Sequence, residues 1–136
     1  MQKAAFSIKE YRFEKFTLNF ANHSDNELDI KFETNGCFDP SQSQFELQFQ
    51  AIIFNKGSEG NHFIDVTCKG VFDFENVSNL IEIPDFFYRN SIALLFPYLR
   101  AYISLVTTQA NVPGIILPTY NLSSLSEILK TNTTQK

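Results

Sequence analysis

The chain has 136 residues, of which 43% are apolar and 19% charged. That balance supports one folded domain over 1–136 and excludes an intrinsically disordered chain. Eleven Lys and Arg against fifteen Asp and Glu leave a net charge of −4, which excludes the basic stripe of a phosphate-neutralising nucleic-acid binder. Fifteen Phe and five Tyr without any Trp point to an aromatic core, to aromatic surface offered to a partner, or to both.

The first half alternates with period two. Phe6 and Ile8 share one parity, Tyr11 and Phe13 the other, and Phe16, Leu18 and Phe20 return to the first. Phase slips of that kind within a long strand predict bulges. Leu28, Ile30 and Phe32 then alternate with Asp29, Lys31 and Glu33, a strand with one wet face. Asn35-Gly36 and Asp39-Pro40-Ser41 mark a turn, after which Phe45, Leu47, Phe49 and Ala51 face one way and Glu46, Gln48 and Gln50 the other. Asn55–Gly60 predicts a hairpin into a fourth strand, in which Ile64, Val66, Cys68, Phe72 and Phe74 share one parity around Gly70. The expectation is a four-stranded antiparallel meander whose polar face meets solvent.

The period changes after Pro84. Leu95, Leu99, Tyr102, Ile103 and Val106 recur at helical intervals, with Pro97 inside the run. A proline in a helix interior removes a hydrogen bond and crowds the preceding turn. The expected element is therefore a short lead-in, a kink, and a helix ending near Thr107–Asn111, before Val112-Pro113-Gly114. Ser124 and Glu127 have capping-box spacing, which predicts a short C-terminal helix over Leu125–Lys130. Residues 131–136 read as a frayed tail. The long helix, with Leu94, Phe96 and Tyr98 added to its stripe, is apolar over more than one sheet requires. That width predicts a second contact to another subunit, with Leu95, Leu99, Tyr102, Ile103 and Val106 as interface candidates.

Chemistry is sparsely spelled. Cys37 and Cys68 form no metal-ligand pattern, His23 and His62 stand alone in loop or strand-edge positions, and the five glycines build no phosphate cradle. Neither a metal nor a cofactor is expected, and the chain does not read as an enzyme. Gln2–Lys9 mixes polar and apolar residues, so a leader is not expected and two thiols fit a reducing cytoplasm. The apolar stretch Ile92–Val106 contains Pro97 and Arg100 and is too short for a membrane span.

From Phe63 onward the features resemble, in order, those of the SecB protein-export chaperone family. Phe63-Ile-Asp-Val-Thr-Cys-Lys-Gly-Val-Phe72 is similar to that family's fourth strand. Leu95-Phe96-Pro97-Tyr98-Leu-Arg100, with Asn90 upstream, is similar to its Asn-x-Leu-Phe-Pro-Tyr-x-Arg motif on the long helix. Pro118-Thr-Tyr-Asn121-Leu-Ser-Ser-Leu125 is similar to the segment that leads into its second helix. The Leu-Phe-Pro-Tyr-x-Arg run is the specific part. Two departures stand out. The segment Ala21–Glu27 is short and lacks the family's Trp, and the first-strand positions where the family carries carboxylates hold Thr17 and Ala21.

The resemblance implies an α+β fold with helices on one side of the sheet, dimers through edge strands, and tetramers through the long helix. It implies a holdase that keeps non-native polypeptides unfolded for the SecA motor, or that protects an antitoxin in a toxin–antitoxin pair. By the same likeness, Phe63 and Asp65 take the apolar and acidic positions of a SecA-type docking site. Client-binding candidates beside the helix and connector are Phe86, Phe87, Tyr120, Leu122 and Leu125. The competing reading is a small-ligand or lipid carrier with a hot-dog-like sheet wrapped on a helix.

Overall fold

The computed structural model describes residues 5–25, 27–112, 115 and 123–136. Its elements in chain order are β1 (Ala5–Leu18), β2 (Leu28–Asp39), β3 (Gln44–Asn55), β4 (His62–Glu75), α1 (Asp85–Gln109), α2 (Ser123–Thr131) and β5 (Thr133–Gln135). Short 3-10 turns at Phe20–Asn22 and Leu80–Glu82 join β1 to β2 and β4 to α1.

Among the described residues the sheet has five strands in the order β1-β4-β3-β2-β5 and is mixed, which corrects the expected four-stranded antiparallel meander. β2, β3 and β4 do form a meander, because hairpin turns at 40–43 and 56–61 return each strand onto its neighbour. β1 instead crosses over to pair antiparallel with β4. The tail also departs from expectation: Gly36–Phe38 of β2 pairs in parallel with Thr133–Gln135. Alternation assigns each residue to a face of the sheet, but it carries nothing about which strands are neighbours.

The phase slips in β1 have a definite purpose. Register shifts at Ile8/Glu10 and Phe13/Lys15 restore parity each time, so Phe6, Ile8, Tyr11, Phe13, Phe16 and Leu18 all stand opposite the inward residues of β4. Bulges thus convert a broken alternation into one continuous apolar face on a bent edge strand.

α1 spans 25 residues and runs through Pro97 without a break, so the lead-in and the main helix are one element. The lost hydrogen bond is outweighed by burial on both sides of the proline, where Leu95, Phe96 and Leu99 pack inward and Pro97 itself faces solvent. By length and composition α1 is apolar enough to cross a bilayer. In the fold it lies across the sheet, with Ile92, Leu95, Leu99 and Ile103 fully buried. Gly70 makes that approach possible, since a Cβ there would stand 2.8 Å from Leu95 Cδ1.

The core is aromatic, as the composition suggests. Phe87 lies edge-on to Phe6, Phe45 and Phe72 at centroid separations of 4.8, 4.8 and 5.5 Å. Such edge-to-face pairs add roughly 0.5–1.5 kcal/mol each beyond their buried area. Phe38, Phe45, Phe49, Phe63 and Phe72 are likewise without accessible surface. α2 packs Leu125 and Leu129 beside β2 and is tied to the start of α1 by Lys130 Nζ and Asp85 Oδ1, 2.7 Å apart.

Candidate interaction surfaces

Among the described residues, three surfaces stand out once the core is filled. The first is the outward side of α1 and its continuation onto β1. Leu94, Tyr98 and Leu105 are 43%, 46% and 57% exposed, and with the exposed Ala101 they form one stripe along the helix. Tyr98 stacks on Tyr11 of β1 at 4.3 Å, and Tyr102 stacks on Phe13 at 4.0 Å. Ile8 and Tyr11 extend the apolar surface to the edge strand. This is a large apolar patch that the described chain leaves uncovered.

The interface candidates divide across that helix. Leu95, Leu99 and Ile103 lie on the sheet side, and none retains surface for another subunit. Tyr102 and Val106 are half-buried at the flank. The outward residues Leu105, Ile8 and Tyr11 were missing from the candidates, although the wide helix face already included Leu94 and Tyr98. The signal for Leu105 is the helical phase, since 94, 98, 101 and 105 repeat on the side opposite 92, 95, 99 and 103.

The second surface is the open face of the sheet, which is a network of satisfied charges. Lys69 Nζ lies 2.8 Å from Glu46 Oε1 and 3.3 Å from Glu14 Oε1. Its hydrogen bond to Glu46 holds the ammonium above its ordinary value, against the opposing pull of partial burial. Burial works to raise Glu14, but hydrogen bonds and charge from Lys69 and Arg12 prevail and hold it below the usual carboxylate value. Asp65 accepts a hydrogen bond from Gln50 Nε2 at 2.9 Å and faces Lys15 Nζ at 3.5 Å and His62 Nδ1 at 4.0 Å. Thr17 stands opposite Asp65 in register. Beside this network, Ile52 and Phe54 floor a shallow depression of about 560 Å³ rimmed by Lys31, Glu33, Glu59 and His62.

The third surface is the strap that carries the chain from β1 to β2. Asn19 N donates to Phe63 O at 2.8 Å, and Asn22 Nδ2 donates to His62 O at 2.9 Å. Asn55, nearly fully buried, accepts from Ser24 N and donates to Asp25 Oδ1 at 2.7 Å. The strap presses His23 flat onto Phe63 at 4.4 Å, with Phe20 5.9 Å away on the same ring. Phe63 therefore has no accessible surface, and only Asp65 of the expected docking pair reaches the open face. The register shift between Ile53 and Phe54 leaves Phe63 without a partner on β3, and His23 and Phe20 of the strap lie against its ring.

Among the client candidates, Phe86 is 46% exposed and lies 6.3 Å from Phe6, so it belongs to the apolar flank. Phe87 and Leu125 are core residues and offer nothing to a guest. Tyr120 and Leu122 lie outside the described residues. Cys68 is buried, and desolvation pushes its thiol up to about 11, a hydrophobic filler rather than a nucleophile. Among the described residues no group of three or more His, Cys, Asp and Glu stands close enough to hold a metal ion.

The described residues thus form an α+β domain with both helices on one side of its sheet, a charged open face and an exposed apolar flank. The family model for SecB, the preprotein translocase subunit, matches residues 5–130. The chain belongs to the SecB family. In structure it is similar to the SecB-like chaperone Rv1957 of Mycobacterium tuberculosis, solved in complex with a ChAD peptide from the Rv1956 HigA1 antitoxin. That likeness has a TM-score of 0.63 at 19% identity and covers 85% of this chain and 91% of the other. A Streptococcus agalactiae protein of unknown function aligns with a TM-score of 0.53 at 11% identity, over 87% of this chain and all of that one. In sequence, an uncharacterized protein of Methanocaldococcus jannaschii is 40% identical over 65 residues, 44% of this chain and 42% of that protein. The match thus covers less than half the length of that curated relative.

Proposed function

We propose that the chain acts as a non-enzymatic, cytoplasmic holdase that binds extended segments of non-native polypeptides as a homo-oligomer. The observation that carries this reading is the continuous apolar flank of Leu94, Tyr98, Leu105, Ile8 and Tyr11. Rings and aliphatics on rigid elements give large contact area with little loss of rotamer freedom, and so tolerate many sequences. Helix-to-helix and edge-to-edge contacts between copies cover part of this flank, in dimers or tetramers, and leave the rest to guests. Phe86, at the start of α1, is the client-binding candidate that retains surface.

The antitoxin-dedicated reading is favoured by one specific observation, the antitoxin peptide on the M. tuberculosis chaperone. Docking to a SecA-type motor is supported here by Asp65 alone, since Phe63 lies under the strap and Thr17 stands where a carboxylate would strengthen the site. Asp65→Lys is expected to abolish any such affinity, and unchanged binding would remove the residue from that role.

The direct test is aggregation of a thermally or chemically unfolded substrate with the chaperone at equimolar and excess concentrations, combined with light scattering of the chaperone alone. Suppression without nucleotide, by a particle that is a multiple of the chain mass, is the expected result. A monomer that leaves aggregation unchanged would sink the proposal.

A further inference from the structure

The sheet has two edges, and the chain treats them differently. β1 is long and bulged, whereas among the described residues β5 pairs with the β2 edge at Gly36–Phe38. Among the described residues, Leu28–Glu33 pair on the β3 side alone. On the helix side of that stretch stand Leu28 and Ile30, half-buried, and Phe32.

β5 is attached by a small number of well-defined contacts. Gly36 N donates to Asn132 O at 3.3 Å and Lys136 N to Phe38 O at 2.9 Å. Asn132 Nδ2 donates to Thr34 O at 3.2 Å, and Leu80 N donates to Gln135 Oε1 at 2.9 Å. Gly36 is needed for this seat, because a Cβ there would collide with the Phe45 ring and approach Thr133 Oγ1 to 3.0 Å. The strand is nevertheless short and parallel, and only Thr133 is buried while Thr134 and Gln135 are exposed. Parallel pairing is the weaker kind per residue. α2 has its own anchors in Leu125, Leu129 and the Lys130–Asp85 pair, so β5 can leave without detaching the helix.

We propose that β5 is a built-in competitor for the β2 edge, seated there in the resting chain and displaced when an extended guest polypeptide adds a strand along β2. This rests on the holdase reading above. A guest strand with alternating apolar residues would satisfy the backbone of Leu28–Phe38 and place every second side chain against Leu28, Ile30 and Phe32. The tail lowers affinity by the fraction of chains in which it is seated, so guests that pair only briefly are rejected.

The register supplies a reversible test. Cys37 stands directly opposite Thr134, and neighbouring strands lie about 4.8 Å apart, within the Cα range of a disulfide. In the Thr134→Cys chain, mild oxidation would lock β5 in place, with intact mass reporting loss of two hydrogens, about 2 Da. The probe is a reduced, alkylated and permanently unfolded lysozyme chain, with affinity read by fluorescence anisotropy. The oxidised chain is expected to bind at least about fivefold more weakly than the same chain after reduction, and Thr134→Pro to bind about three- to tenfold more tightly than the parent. Equal binding by oxidised and reduced chains, with the parent also binding, overturns the competitor and leaves the holdase standing. No binding in either state, or by the parent, overturns both.

Discussion

The two sides of α1 have similar composition and opposite fates. Ile92, Leu95, Leu99 and Ile103 have no accessible surface, whereas Leu94, Tyr98 and Leu105, on the same helix, are exposed. Hydrophobicity alone does not separate them; the phase of the helix does. The inward residues meet Gly70, Phe49 and the Phe87 cluster, where packing is close enough that one methylene matters. Of the outward residues, Tyr98 stacks on Tyr11 of β1, and Leu94 and Leu105 are exposed among the described residues. One side therefore serves the stability of the chain, and the other is the surface proposed above for contacts with other chains.

The largest test of that division is Phe87→Ala, expected to cost about 3–5 kcal/mol in urea unfolding because it empties the centre of the ring cluster. Leu105→Ala on the opposite side is expected to stay within about 0.5 kcal/mol for the dissociated chain. Equal losses at the two positions would erase the distinction. Gly70→Val comes next, at about 1–3 kcal/mol, since the new side chain must push Leu95 and lift α1 from the sheet.

The double change Leu94→Lys and Leu105→Lys sharpens the comparison from the other direction. Light scattering is expected to report a smaller assembly at micromolar concentration, while circular dichroism retains the helical signal. An unchanged particle mass would place the subunit contact elsewhere. The smallest effects belong to the open face of the sheet. Lys69→Met is expected to shift stability by less than about 1 kcal/mol, because Lys69 and its partners Glu14 and Glu46 are partly exposed and screened.

The pH dependence of that face follows from its signs. The Ser41 hydroxyl is the main cause that holds Asp39 below its ordinary 3.8, against partial burial, and Glu14 lies below its ordinary 4.5. Both groups contribute stability that is fully present above those ordinary values and is lost as pH falls through their lower folded values. Lys69 is the reverse, contributing fully below 10.5 and losing its contribution as pH rises through its raised folded value. A urea midpoint flat between about pH 5 and 10 and falling beyond both ends, more gently in Lys69→Met at the alkaline end, is the expected profile.

Much of this was legible in the residues. The parity slips of Phe6–Phe16 announced the bulges of β1, the hairpin at Asn55–Gly60 was read from its turn residues, and the Leu95–Arg100 run carried the family. Strand order, the tail and the placement of Phe63 were not legible. Each depends on a contact between segments distant in sequence: β1 with β4, Gln135 with Leu80, and His23 with Phe63.

From its amino acids alone, then, this protein had determined which residues are apolar, with what period, and where each element turns. Those are local properties, set by backbone sterics and by the alternation of side chains along a strand or around a helix. Only the tertiary structure decided which of two equally apolar helix faces is covered, which strand borders which, and that the last residues form an edge strand. Such choices are made by the free energy of the whole packed chain, in which a residue's burial depends on neighbours that its own sequence window does not contain.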